Sequence, residues 1–263
     1  MTEIVLALGQ GWITTVLLLS VRIAAVLLLT PVLYAAAMPT TVRVLIVVGL
    51  ACVIAMPFGA GPAAQPHDTG ALVQAVLREA AVGGTLGLGI LVAFAGFAVA
   101  GRLIDVQVGF GFAQVLDPVT RMQMPVLSAT FGLFAAVLFF LVDGHHALMR
   151  GVAYSLERFP LGQAWSAEGA AEPLARQAAA LFTLGFALAA PVVLALLLVE
   201  FALGVVSRNL PQMNMLALGI PVKILAGMLA LSIWASGFGA PAGRLYAEIY
   251  KAWTGWFAAE RGR

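Results

Sequence analysis

Residues 101–125 read GRLIDVQVGFGFAQVLDPVTRMQMP, and the reading of this stretch decides what the rest of the chain builds. It lies between two long apolar segments, too greasy for a solvent loop and too broken for a membrane helix. Gly109 and Gly111 alternate with Phe110 and Phe112, so two permissive backbone positions carry two large rings. Asp117-Pro118 has the form of a helix start, with Asp as N-cap and Pro at the first helical position. Arg121 follows four residues later, within reach of Asp117 if that turn forms. Pro125 ends the turn or kinks it. An apolar segment with glycine hinges between membrane helices suits a part that blocks or lines a passage. The competing reading is a buried connector that only packs, and the stretch by itself does not separate the two.

Working outward, the surrounding chain is membrane material. Of its 263 residues 62% are hydrophobic and only 10% charged, and the mean hydropathy is +1.02. A soluble domain carries about 25% charged residues, so an integral membrane protein is expected. A net charge of +2 with scattered basic residues does not suit nucleic acid. The single cysteine, Cys52, excludes an internal disulfide. No compositional break divides residues 1–263, which read as one membrane domain. Ala35-Ala36-Ala37 resembles a signal-peptide cleavage site. However, no positive charge precedes the apolar run and Trp12–Ala37 is longer than a signal core, so a retained helix is expected.

Six apolar segments follow in order: Trp12–Ala37, Val44–Phe58, Ala71–Gly101, Val126–Val142, Ala178–Val206 and Met215–Ala240. The fold expected is all-α, the segments forming bent or broken helical hairpins. The first and longest segments exceed the ~20 residues needed to span. The third is glycine-rich, and its Gly83–Gly87 step permits close helix contact in membranes. In the polar region Asp143–Gln177, Leu148, Val152, Leu156 and Phe159 recur at helical spacing, predicting an amphipathic helix. Asp143-Gly144-His145-His146 raises a metal reading. Adjacent histidines point to different helix faces and no second ligand set stands at metal spacing, so a polar helix terminus is preferred and no metal or cofactor is expected. Ser207–Asn214 interrupts the apolar run around Pro211, and the tail from Gly243 mixes basic residues with Tyr246, Tyr250, Trp253 and Trp256 as an interfacial helix would. Treating the segments as spans leaves eight Lys/Arg on the side of the termini and four on the other, which puts both termini in the cytoplasm.

The third segment starts amphipathically around Gln74, Arg78 and Glu79; within the apolar runs themselves stand Arg22, Glu200 and Lys223. Each would cost roughly 2.5–3.5 kcal/mol at a lipid-facing helix centre, so they are expected to face protein or water. Pairing within the protein (Glu200 with Lys223 across the Pro211 break), snorkelling, and an ion path are the three accounts of them. No HExxH, GxSxG, Walker A pattern or membrane-protease aspartate pair is present, so an enzyme is not expected. A secondary transporter stays open on its broken helices and buried charges, although no internal repeat places the breaks at corresponding positions.

Four runs carry a family pattern: Arg22–Pro39 (RIAAVLLLTPVLYAAAMP), VGFGFAQVLDPVTRMQMPVL, FFLVDGHHALMRGVAYSLERFPLG and SRNLPQMNMLALGIPVK. Together, and in this order over nearly the whole chain, they resemble the FliR family, the flagellar member of the type III export gate, related to the injectisome T component. The most specific elements are Asp117-Pro118 with Gln123, and the run Arg208, Pro211, Gln212, Asn214. The GFGFA form of residues 109–113 is closer to the flagellar than to the injectisome type. The resemblance implies a bacterial inner-membrane subunit of the flagellar basal body, assembled with FliP, FliQ and FlhB, through which unfolded flagellar proteins leave the cytoplasm. It implies that Gly109, Phe110, Gly111 and Phe112 plug the channel, and that many apolar faces meet partner subunits instead of lipid.

Overall fold

Leucine, valine and alanine dominate residues 12–29, and the helix they build stops where proline arrives. In the computed structural model, which describes residues 2–31, 38–56, 68–110, 126–162, 168–210, 212, 215–235, 237 and 253, α1 spans Thr2–Leu29. The angles disfavoured before Pro31 end it at Thr30, whose hydroxyl donates back to the Val26 carbonyl at 2.8 Å. Against the first segment expected from sequence, Trp12–Ala37, the helix begins ten residues earlier and stops before Pro31, and residues 32–37 lie outside the described residues.

The remaining described elements are α2 (Thr40–Ala55), α3 (Thr69–Val108), α4 (Val126–Leu141), α5 (Gly144–Arg158), α6 (Glu168–Asn209) and α7 (Met215–Ala235). All described secondary structure is helical, and the six apolar segments become α1, α2, α3, α4, α6 and α7. Four of these are long and apolar enough to cross a membrane, and α4 with α5, broken at Val142–Asp143, makes a fifth if the pair is taken as one. The amphipathic reading of the polar region corresponds to α5, with Leu148, Val152 and Leu156 buried. Part of the rest of that region is helical as well, because α6 begins at Glu168 and runs for 42 residues.

The largest correction falls on the central stretch. It was expected to break at Gly101, but α3 continues through Arg102–Val108, and Gly101 is a packing position inside it. A Cβ there would come within 2.6 Å of the Ser128 Cα, so the glycine lets the backbone of α4 approach. At its other end α3 is capped locally: the Asp68 carboxylate accepts from the Ala71 N–H at 2.6 Å.

The contacts group the chain into two compact units, and α3 and α6 contribute to both. In the first unit, which contains α1, α2, α5, the first part of α3 and Trp253, the core is Leu18, Leu19, Ile23, Val26, Ala51, Val82, Leu86, Val152 and Leu156. Gly83 and Gly87 form the floor against which α1 lies: a Cβ on Gly83 would collide with the Arg22 carbonyl oxygen, and one on Gly87 would stand 2.8 Å from the Leu29 Cβ. The Trp253 ring covers Gly151 of α5 in the same way, 2.7 Å from where a Cβ would stand. In the second unit, Phe94, Phe97 and Ile104 of α3 pack with Leu127, Phe131 and Phe139 of α4 and Leu188, Val192 and Leu196 of α6. Phe94 and Phe139 meet as tilted rings at 6.1 Å, and Phe131 stacks on Trp234 of α7 at 6.2 Å.

Candidate functional site

Residue 109 is where α3 must end, because the chain turns there through a backbone conformation that L side chains rarely adopt. Gly109 has φ 97°, the left-handed region that glycine enters without a Cβ penalty. The N–H groups of Gly109 and Phe110 both donate to the Asp105 carbonyl oxygen, each at 3.2 Å. That pattern closes a helix on a C-terminal glycine and satisfies carbonyls the helix leaves open. Gly109 is buried and Phe110 half-buried. Gly111 and Phe112 lie outside the described residues, as do Asp117, Pro118 and Gln123 of the same stretch.

The Asp105 side chain does a second job. It is 4% exposed, and its two oxygens accept from the first turn of α4: Oδ1 from the Leu127 N–H at 2.9 Å and Oδ2 from the Ser128 N–H at 2.8 Å. These are the N–H groups a helix leaves unpaired at its start, where negative charge is also favoured by the helix dipole. Proline at 125 has no side-chain oxygen to cap them, so the cap comes from α3. The Ser128 hydroxyl adds a bond to the Ala98 carbonyl at 3.3 Å.

Of the three charges expected to avoid lipid, Arg22 is buried at 1% exposure. Its Nε lies 2.6 Å from Glu79 Oε2, its Nη1 donates to the Ser155 hydroxyl at 3.2 Å, and its Nη2 to the Phe159 carbonyl at 2.9 Å. Glu79 uses its other oxygen to accept from the Gly162 N–H at 2.9 Å, and Arg78 donates to the Gly162 carbonyl at 3.2 Å. The cluster thus joins α1, α3 and α5 and holds the turn that follows α5. Glu200 and Lys223 face each other on α6 and α7, Nζ to Oε1 at 3.0 Å, with Gln107 donating to the second carboxylate oxygen at 3.2 Å. The Glu200 side chain is nonetheless 53% exposed, among exposed Leu197, Leu198 and Phe201.

Arg208 stands in the last turn of α6, exposed, where a cation suits the helix dipole. Gln212 is also exposed, while Pro211 and Asn214 lie outside the described residues. Asp143, His145 and His146 do gather, their donor atoms within 4.8 Å of one another. They sit at the N-terminus of α5, where the dipole opposes a cation, and the Asp143 and His146 side chains are exposed and bonded to each other at 3.3 Å.

Sequence reasoning missed Glu79 and Asp105. Glu79 passed for the polar edge of an amphipathic start, and Asp105 passed for part of a broken segment. Once α3 is extended to residue 108, a lone carboxylate one turn before its terminal glycine is the signal that would have found Asp105.

A family described as "Bacterial export proteins, family 1" matches residues 13–249. The flagellar biosynthetic protein FliR of Pectobacterium carotovorum is 29% identical over 242 residues, 91% of either chain. That of Bacillus subtilis is 36% identical over 159 residues, 59% of this chain and 61% of the relative. The surface presentation of antigens protein SpaR of Shigella sonnei is 29% identical over 161 residues, 61% of this chain and 62% of that protein. With its several membrane-length helices and a family match running almost end to end, this chain belongs to the bacterial export proteins of family 1.

Proposed function

We propose that the chain is a non-enzymatic, multi-pass inner-membrane subunit of a flagellar protein-export gate, forming and closing the channel that passes unfolded flagellar proteins. The observation that carries this is the alignment of 91% of the chain with a flagellar biosynthetic protein. Its partners in this reading are FliP-, FliQ- and FlhB-like subunits. The similarity to SpaR favours a related system, an injectisome, as the second reading, over a shorter stretch.

In this reading residues 109–112 form the seal. A pore wide enough for an unfolded chain must not leak ions at rest, which calls for apolar bulk on a segment able to move aside. Phe110 and Phe112 supply the bulk, and the glycines at 109 and 111 lower the backbone penalty of rearrangement. The rival account makes both rings core, so that their removal would cost about 3–5 kcal/mol each and destroy the subunit. Deleting Gly109–Phe112 separates the accounts. The expected result is a complex that assembles and passes small ions or dyes; a complex that assembles and stays tight removes the seal from this segment, and loss of the complex favours the core account.

A further inference from the structure

The polar face of α5 stands beside a stretch of α1 that is long and apolar enough to cross a membrane. His146, Arg150, Ala153, Tyr154 and Glu157 recur at helical spacing along α5 and are exposed. The opposite face is covered, with Leu148, Val152 and Leu156 buried in the core of the first unit. The level of α5 is set by Arg22, which donates to the Ser155 hydroxyl at 3.2 Å and to the Phe159 carbonyl at 2.9 Å. Arg22 lies about 16 Å along α1 from Gly11 and about 10 Å from Leu29, at ~1.5 Å per residue, so α5 passes the middle of the apolar stretch. Tyr154 and Glu157 are within a turn of Ser155, and Arg150 stands about 8 Å from it along the axis, so all three stay alongside residues 11–29. We propose that this face of α5 lines the water-filled passage of the assembled gate. The proposal rests on the reading of the protein as an export-gate subunit, and it is independent of which segment forms the seal.

Three other surroundings fit this face less well. Hydrocarbon does not suit it, because ionised side chains are costly there and the face carries both Arg150 and Glu157. An interfacial helix lays its apolar side in the bilayer, but the apolar side of α5 is already buried in protein and its end is bonded to the middle of α1. A partner helix covering the face would bury two charges and need a paired group for each, whereas water satisfies both. At the same level the unit shows a contrasting surface, because Ile13, Leu17 and Leu28 of α1 are exposed and apolar. A channel wall needs that contrast: one side for the membrane or neighbouring subunits, the other for water. The α5 side also offers a moving chain no continuous apolar patch to bind.

The test uses the full chain in its assembled complex in the native inner membrane, with Cys52→Ser removing the native thiol. Single cysteines are introduced on the α5 face by Arg150→Cys, Ala153→Cys and Glu157→Cys, and on α1 by Leu17→Cys and Leu28→Cys. The probe is a membrane-impermeant, positively charged methanethiosulfonate offered to each side of the membrane in turn. Its rate is read with the gate empty and with an export substrate arrested in it by a fused domain that does not unfold. The α5 thiols are expected to react about tenfold faster than the α1 thiols, since a thiol in water ionises more readily than one in apolar surroundings. The arrested chain is expected to slow the α5 thiols to the rate of the α1 thiols, which stay unchanged. Ala153→Cys removes no charge, and it decides the question if loss of Arg150 or Glu157 prevents assembly. Thiols on α5 that react as slowly as those on α1 in the empty gate mean that lipid or a partner covers the face, and overturn the proposal. Fast reaction that the arrested chain leaves unchanged puts the face in bulk water outside the passage, and overturns it too. Failure of the underlying reading looks different: a strain lacking this chain that still exports flagellar proteins removes the passage itself, and the proposal with it, whatever the thiols do.

Discussion

Arg22 and Glu79 are each 1% exposed, and each is tied to more than the other. A buried ion pair contributes little net stability when compared with apolar residues of the same volume, but removing one partner leaves an uncompensated charge. Arg22→Met or Glu79→Leu alone should therefore destabilise the protein by about 3–5 kcal/mol. The double variant should recover part of that loss but not all. The Phe159 carbonyl and Gly162 N–H would still lack the side chains that now bond them, at about 1–3 kcal/mol for each group left unsatisfied. A double-mutant cycle on thermal unfolding of the detergent-solubilised complex measures both parts. Single variants within 1 kcal/mol of the parent (about the spread of an exposed pair) would sink the account. At this scale the sequence was only half legible. Arg22 stood out because it is the one charge in an otherwise apolar segment. Glu79 did not, because with Gln74 and Arg78 it reads as the amphipathic start of its segment. Which polar residue of an amphipathic turn faces inward depends on a partner 57 positions away.

Elements were more legible than residues, because apolar length and glycine spacing are local. The six apolar segments all became helices. The Gly83–Gly87 step of α3 is legible as a place of close helix contact, though its partner, α1, is not. Gly83 and Gly84 separate the effects of spacing and contact. A Cβ on Gly83 meets the main chain of α1 at Arg22, whereas one on Gly84 has no atom within 4 Å. Gly83→Ala should push α1 and α3 apart and lower complex yield and melting temperature. Gly84→Ala meets nothing and removes the helix penalty of glycine, so it should be neutral or stabilising by up to about 1 kcal/mol. Equal behaviour of the two variants would mean that close approach at Gly83 is not what holds α1. What remained illegible were the ends of the elements. Gly109, which ends α3, is a local signal, but the burial of Asp105 in the last turn is satisfied by α4, which a window over residues 101–110 does not contain.

For the whole molecule, the question is how much of each helix the chain itself can hold. Within the membrane-length windows 56% of α3 is buried, 28% of α6 and only 6% of α7. Leu218, Leu225, Leu229 and Ile233 of α7 are exposed, as are Leu194, Leu198 and Phe201 of α6 and Val44, Leu45 and Val53 of α2. An all-apolar surface would serve lipid as well as protein, since between helices in a membrane the hydrophobic effect gives no preference for either. The half-exposed Glu200 carboxylate breaks that equivalence, for a charge on an apolar face costs roughly 2.5–3.5 kcal/mol against lipid. Its bonds to Lys223 and Gln107 offset only part of this while the side chain stays open on its remaining side. The chain is thus expected to be stable as one member of an assembly and poorly stable alone. Expressed by itself and extracted in mild detergent, it should give low yield, a lowered melting temperature and rapid proteolysis. Co-expression with the other subunits of the export gate should restore all three and yield a multi-subunit complex. A monodisperse monomer, melting where the complex melts and equally resistant to protease, would mean that the exposed faces are complete with detergent or lipid alone. It would also remove the main physical reason for placing α6 and α7 against partner subunits.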